Sequence, residues 1–600
     1  MRIRERFPAF AEGLSLFLLL AGFGVIQALI GGTRMVFCLP AYLLVGAAGM
    51  LLVFSMRRTK PAPCRLCLAV TALFFAYIIA RALLSPVPYI ARSDLYSAIT
   101  ALVVYFSFSL ILTSGTARIV FVCGLLVFAL AHVIVGAVQF RDGLNFMPIS
   151  WLRRYDYGNR ASGFYICPNH LAGFLEVIAI LGLSVVCWSR WRVWAKLLIA
   201  YAVACCYAGL LMTGSRGGFL SATVSLLVFV VLSLVVLRRT TRKLFWQVTL
   251  VSLSAALILG GLATLFVTHS QALSGRAQVL FETTNIRREL WSAALDQWQV
   301  SPIVGTGSGT YLYYGRFFRT LAMQRDPVFV HNDYLHLLAE YGLIGAIGMA
   351  CLVVVHLRRG FRNFARLGPK RVAVSERLFS NGLALNIGAI SAIAAYAVHE
   401  ALDFNLHIPA NVLLLAFVFG ILANDGAVRD RDLLPVSGMD FLWRLGVPAL
   451  ALTLMLASAR LLPGEYYSEK ARVAVRDNQP GVALLNGGRG LQYDPRNPDL
   501  YRRLGSARMQ LGDLVGEPQA AASFYNDAAL AFENAHAIAP QDEVYLLQLA
   551  GALDAAKRFD EAEWRLEQAL QLDPHSESLL LYYKGHLELW RGPAAAEPQP

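Results

Sequence analysis

The stretch Phe329-Val-His331-Asn332-Asp-Tyr334-Leu335-His336 carries titratable side chains straight into an apolar run that continues past Gly345. Ionisable groups at the edge of a hydrophobic segment are costly, and a chain keeps them there chiefly for a substrate, an ion or a proton. An imidazole titrates near neutrality, so His331 suits the removal of a hydroxyl proton as that oxygen attacks an electrophile. The same residue also suits a purely orienting role, or a helix cap at an interface.

Three further stretches set arginines beside glycines or prolines. Arg160-Ala-Ser162-Gly163 leads to Pro168-Asn169-His170, where the proline reads as a break in helical regularity or as a plain helix start. In Thr213-Gly214-Ser215-Arg216-Gly217-Gly218 the glycines allow a sharp turn and close backbone approach, and Ser215, Arg216 and exposed N–H groups suit an anion. A tight hairpin with an interfacial arginine has the same pattern. Asn285-Ile-Arg287-Arg288-Glu289-Leu-Trp291 reads as an amphipathic helix, followed by Ser301-Pro302-Ile-Val-Gly305-Thr-Gly307-Ser-Gly309. That glycine run lacks the Lys-Ser/Thr of a P-loop and the strand context of a dinucleotide fold, which excludes nucleotide binding. In His399-Glu400-Ala-Leu-Asp403-Phe404-Asn405, Asp403 and Asn405 read as buried scaffold, while His399 stays open as a site residue.

The elements that must position these groups are membrane helices. The chain is 57% apolar and only 15% charged, with mean hydropathy +0.53, which excludes an ordinary soluble protein. Apolar runs long enough for ~30 Å of hydrocarbon recur near 13–32, 36–56, 66–85, 97–114, 118–140, 165–187, 194–213, 217–237, 245–268, 332–356, 379–400, 408–424 and 441–460. The expectation is an all-α polytopic bundle of about 12–13 transmembrane helices. The basic start at Arg2, Arg4 and Arg6 resembles that of a signal peptide, but no small-residue cleavage site is evident and more spans follow, so the first helix reads as uncleaved. Cys64-Arg-Leu-Cys67 has metal-ligand spacing without a second pair nearby, and a loop is the simpler reading.

Basic clusters alternate between connections: Arg57/Arg58/Lys60/Arg65, Arg190/Arg192/Lys196, Arg238/Arg239/Arg242/Lys243 and the run from Arg358 to Arg377. By the positive-inside rule these lie in the cytoplasm together with the N-terminus. The alternation then puts 141–164, 213–218, 269–331, 400–408 and everything past about 461 on the outer face, where the unusual polar residues collect.

Beyond Leu461 the apolar runs stop and the charge reverses. Residues 465–600 hold 13 Lys/Arg against 20 Asp/Glu, a net of −7, leaving +21 for the remainder of a chain whose total is +14. Helical patterns end at Asp494-Pro495, Ala539-Pro540 and Asp573-Pro574, and the last two prolines stand 34 residues apart, the tetratricopeptide period. Ala569, Leu566, Ala562, Leu553, Ala550 and Leu549 take the packing positions before Pro574, and Ala535, Phe532 and Ala528 those before Pro540. An insertion of about eleven residues falls around Gly512 to Pro518. The expected domains are 1–464 in the membrane with an outer loop 269–331, helical repeats over 465–592, and a frayed tail 593–600.

Taken together, Arg160-x-Ser-Gly163 with Pro168-Asn169, Thr213-Gly-Ser-Arg216-Gly-Gly, Arg287-x-x-x-Trp291 with Pro302-x-x-Gly305-x-Gly307-x-Gly309, and His331-Asn332-x-Tyr334-Leu335 with Glu340-x-Gly342 resemble the O-antigen ligase and polymerase superfamily. The resemblance covers roughly residues 10–425. It implies a transferase that moves a glycan from an undecaprenyl diphosphate carrier to an acceptor hydroxyl on the periplasmic face of a bacterial inner membrane. Ligating members use the lipid A core as acceptor, polymerases use another glycan repeat, and relatives use protein serine.

A glycosyl diphosphate already holds a good leaving group, so the protein must mainly grip and neutralise the phosphates, a task suited to guanidinium forks. Arg216 and Arg287 are the candidates for this role and His331 for the base, with Arg160, Ser215, Arg288, Asn169, Asn332, Tyr334 and His399 as substrate-binding candidates. No cofactor is expected, nor a metal: the Asp-x-Asp pair, Asp430-Arg-Asp432, falls on the predicted cytoplasmic side. The expected partners are the lipid-linked donor, a glycan, lipid A core or protein acceptor, membrane lipids and a possible protein bound by the repeats, with no nucleic acid. Two readings of other classes are a lipid-linked glycan transporter, which calls for paired halves and charges at the membrane midplane, and a scaffold acting through its repeats.

Overall fold

The computed structural model describes residues 2–143, 145–152, 154–251, 253–254, 286–367, 379–427 and 436–592. Among them the chain is all-α, and eleven helices are long and apolar enough to cross a membrane. This is a multi-pass membrane protein. In order, the first eight helices are α1 (Arg2–Ala28), α2 (Met35–Leu51), α3 (Arg65–Leu83), α4 (Pro88–Phe106), α5 (Gly115–Asp142), α6 (Pro168–Trp188), α7 (Val193–Thr213) and α8 (Arg216–Thr240). Then follow α9 (Ile286–Val300), α10 (Tyr311–Phe318), α11 (Asp333–Leu367), α12 (Asn381–His399), α13 (Pro409–Ala423) and α14 (Gly438–Arg476).

The expected span 245–268 falls largely outside the described residues, as do residues 269–285 of the outer loop with Asn285 among them, the basic residues Lys370, Arg371 and Arg377, the pair Asp430 and Asp432, and the tail 593–600. The run expected at 408–424 forms α13, a 15-residue helix that is almost wholly buried. At ~1.5 Å per residue it reaches only ~22 Å, less than the hydrocarbon thickness, and its neighbours enclose it instead of lipid.

Sequence explains most helix starts. Pro88, Pro168 and Pro409 open α4, α6 and α13, where a missing N–H costs nothing. Pro168 is therefore a helix start rather than a break. Gly214, in the left-handed region, ends α7, and Ser215 caps α8 by accepting from Gly218 N at 3.2 Å.

The longest helix, α14, runs 39 residues from the membrane into the repeats, so the boundary expected at 464–465 lies inside one continuous helix. It is followed by α15 (Pro480–Tyr493), α16 (Pro498–Leu514), α17 (Pro518–Ile538), α18 (Glu543–Ala555), α19 (Phe559–Leu572) and α20 (Glu577–Arg591). Ala528, Phe532, Leu549, Ala550, Leu553, Ala562, Leu566 and Ala569 form one buried core, as the repeat pattern predicts. The inserted residues do not loop out. Helix α16 has 17 residues and α17 has 21, against 13 and 14 in α18 and α19, so the insertion lengthens both arms of one hairpin.

Arginines tie the repeats to the end of the bundle from which α14 emerges. Arg92 at the start of α4 pairs with Glu465 and with Asp494 at 3.0 Å, and Arg34 reaches Glu469 at 3.0 Å. From α10, Arg316 contacts Asp542 at 2.9 Å and Glu543 at 2.7 Å, while Arg319 pairs with the buried Asp573.

Candidate active site at the repeat-bearing end

The glycine-rich segment after α9 clamps α11. Gly342 sits at φ 64°, ψ −166°, a conformation essentially restricted to glycine, and it kinks α11. The kink leaves the N–H groups of Leu343 and Ile344 without helical partners. They donate instead to the carbonyls of Pro302 and Ile303 at 2.9 and 3.1 Å. In return Gly307 N donates to Glu340 O at 2.9 Å, and the Glu340 carboxylate accepts from Gly309 N at 3.0 Å and Tyr311 N at 2.9 Å. The turn thus binds protein backbone and a carboxylate of its own chain, consistent with the exclusion of a nucleotide loop.

This clamp sets the start of α11 and hence His331, whose φ of 55° lies in the left-handed region. Asn332 caps the helix, its Oδ1 accepting from Tyr334 N and Leu335 N at 3.0 and 3.1 Å. The cap is therefore Asn332 and not His331. His331 itself turns edge-on to Phe404, ring centres 4.6 Å apart, and presents Nδ1 to Asp403 Oδ1 at 3.4 Å.

Asp403 is the hub. Its Oδ2 accepts from Asn169 Nδ2 at 2.5 Å and lies 4.0 Å from Arg287 Nη2. Asn169 in turn accepts from Arg160 Nη2 at 2.8 Å, and Arg160 Nε donates to Thr213 O at 2.8 Å. Residues from 160–169, 213, 287, 331 and 403 are joined by successive contacts. Burial alone would raise the Asp403 carboxyl, but His331 and the imidazoles of His170 and His399 outweigh it and hold the group well below the usual carboxylate range.

The remaining candidates are placed less directly. Arg216 and Arg288 are exposed, Arg216 in the first turn of α8. Tyr334 donates to Ala397 O at 2.8 Å and faces an apolar cavity. His399 is buried, its Nδ1 2.9 Å from Glu176 Oε1, and Ser221 donates to the other oxygen of Glu176. His399 Nε2 has no hydrogen-bond partner, and a Cβ built on Gly217 would meet that nitrogen at 3.4 Å.

Residues 201–350 match the family described as O-antigen ligase. That stretch is an O-antigen ligase family domain. It holds Arg216, Arg287, His331 and the clamp at Gly342, and the family implies an enzyme that transfers glycans between a lipid-linked donor and an acceptor. No curated protein matches the chain. Among solved structures, a thermophilic TPR protein of Thermus thermophilus is 22% identical, covering 26% of this chain and 87% of that one, with a TM-score of 0.19.

Two cavities meet beside the ligase-domain residues. A more polar chamber of about 760 Å³ is lined by His331, His170, Phe404, Arg92 and Arg503 among others. A second, of about 470 Å³ and mostly apolar, runs between α3, α4, α11, α12 and α13. Asp94, His336 and His407 line both.

At that junction Asp333, His336 and His407 offer ligand atoms all within 4.8 Å of one another. Burial would lower His407, but Asp333, 2.7 Å from its Nδ1, prevails and raises it to about 9. Its ring stacks on that of His336, the centres 4.0 Å apart.

Sequence reasoning treated Asp403 as scaffold and passed over Glu176, Asp333 and His407. Glu176 carried a readable signal, a carboxylate inside an apolar run. The role of Asp403 carried none, because it depends on contacts across more than two hundred residues of chain, such as that with Asn169.

Proposed function

We propose that the chain is an O-antigen ligase-type transferase that moves a glycan from an undecaprenyl diphosphate carrier to an acceptor hydroxyl at the periplasmic face of the inner membrane. The observation that carries this reading is the meeting of an apolar slot with a more polar chamber at Asp94, His336 and His407, which suits a donor with a long hydrocarbon tail and a hydrophilic head. The basic connections support the orientation, since Arg58, Arg65 and Arg190 lie at helix ends remote from those that contact the repeats.

In this mechanism Arg216 and Arg287 hold the diphosphate and stabilise the charge that develops as the glycosyl bond breaks, with Arg160 and Arg288 in support. His331 takes the acceptor proton as the hydroxyl oxygen attacks the anomeric carbon, and the resulting imidazolium is stabilised by Asp403. Asn169 fixes Asp403, and Asn332 fixes the backbone that carries His331. The phosphate charge is met by guanidinium groups, so no metal is required.

Deletion of the chain in its host, with envelope glycans examined by gel, tests the reading. Loss of all capped lipopolysaccharide is expected. Collapse to a single repeat unit marks a polymerase, and unchanged lipopolysaccharide with unglycosylated protein marks a protein glycosyltransferase.

A further inference from the structure

The first repeat helices form a wall of the more polar chamber. Glu465, Glu469 and Arg472 from α14 and Asp499 and Arg503 from α16 line the same space as Tyr157 and His331. Most charges on this wall are spoken for. Arg472 grips Glu469 through two bonds of 2.7 Å, Arg92 bridges Glu465 and Asp494, and Tyr89 donates to Asp499 at 3.0 Å.

Arg503 is under-satisfied. Its carboxylate contact is Asp499 at 4.0 Å, which Arg502 approaches more closely at 3.2 Å, and its Nε is buried without a hydrogen-bond partner. Burial, and Arg502 beside it, push the guanidinium down to about 10. With the side chain only 17% exposed, an unspent donor of this kind is costly unless ligand oxygens complete it.

The chemistry of the chamber narrows the ligand. The wall formed by α14 and α16 sets Arg472 and Arg503 among Glu465, Glu469 and Asp499, so a polyanion or a polycation on that wall would meet as much repulsion as attraction. A neutral chain dense in hydroxyls, each both donor and acceptor, matches interleaved guanidinium and carboxylate groups. Tyr89, Tyr155 and Tyr157 add aromatic faces.

We propose that Arg503 forms an acceptor subsite on the repeat unit for a neutral, hydroxyl-rich oligosaccharide, so that the repeats read the acceptor while the membrane helices hold the donor. This rests on the glycan-transfer reading and assigns its acceptor side.

The test uses full-length protein in lipid nanodiscs. Donor-head binding is measured with farnesyl diphosphate by calorimetry, and transfer with membranes of a host strain lacking the chain as the source of donor and acceptor. Arg503→Ala is expected to raise the half-saturating acceptor concentration by about ten-fold, the equivalent of one lost polar contact, with maximal rate and farnesyl diphosphate affinity kept. Arg503→Lys, which keeps the charge but loses the fork, falls between. Arg489→Ala, at an exposed arginine outside the chamber, changes nothing. Should Arg503→Ala fail to fold, Arg503→Gln, which keeps the side-chain length and a polar end, gives the same readout. Transfer that depends on Arg216 but has an acceptor curve indifferent to Arg503 overturns the subsite alone. Farnesyl diphosphate binding and transfer both indifferent to Arg216→Ala overturn the donor assignment beneath it.

Discussion

The Asp403 carboxylate stands between His331 and Arg287, one oxygen 3.4 Å from the imidazole Nδ1 and the other 4.0 Å from the guanidinium. Asn169 donates to that second oxygen at 2.5 Å. Asp403→Asn keeps the shape but removes the charge that the His331 imidazole and the Arg287 guanidinium face. Transfer is expected to fall ~100-fold or more, and thermal stability by only about 1 kcal/mol, because both partners are more than a third exposed. Rates and melting of purified protein check both, and an unchanged rate would show that the carboxylate does not position the base.

Arg216→Ala and Arg287→Ala are each expected to lower transfer by ~10²–10³, the scale for removing one preorganised donor. The double variant should lose less than the product, since both act on one charge. Arg288→Ala, at a residue given only a supporting role, is expected to stay within a few-fold. Activity should persist in EDTA, and its loss with recovery on adding Mg²⁺ or Mn²⁺ would refute the metal-free mechanism.

His407, raised to about 9 by Asp333, stabilises the fold in a defined pH window. Because its folded value exceeds the ordinary ~6.5, the stabilisation is complete below about 6.5, declines as pH rises and is gone above 9. The amount is at most about 3 kcal/mol. Thermal unfolding in detergent from pH 6 to 10 should show that decline, and His407→Gln should flatten it.

Gly305 and Gly342 touch backbone to backbone. A Cβ on Gly305 would fall 2.3 Å from the Glu340 carbonyl, and one on Gly342 2.4 Å from Gly305 N, with both residues at positive φ. Either alanine variant must break the clamp, and a loss of folded protein is expected by size-exclusion chromatography. A well-folded Gly342→Ala protein would show that the kink is dispensable.

Arg316 binds Asp326, Asp542 and Glu543 while only 5% exposed, so it fastens α10 to the repeats. Arg316→Ala leaves buried carboxylates unpaired, at a cost of about 3–5 kcal/mol. Faster limited proteolysis near 319–330 is the expected result, with the membrane helices intact.

The sequence by itself determined the membrane helices, the repeats and the motifs that mark an O-antigen ligase domain, because apolar run length, the 34-residue period and arginine–glycine spacing are local properties. It also offered His331, Arg216 and Arg287, since their chemistry is visible in their types. Only tertiary structure decided that Gly305 embraces Gly342, that the inserted residues lengthen a hairpin, that Asp403 gathers His331, Asn169 and Arg287, and that α14 and α16 wall the chamber. The physical reason is that a hydrophobic pattern specifies which face of a helix is buried but not what it is buried against. Hubs, kinks and cavities are made by that second choice.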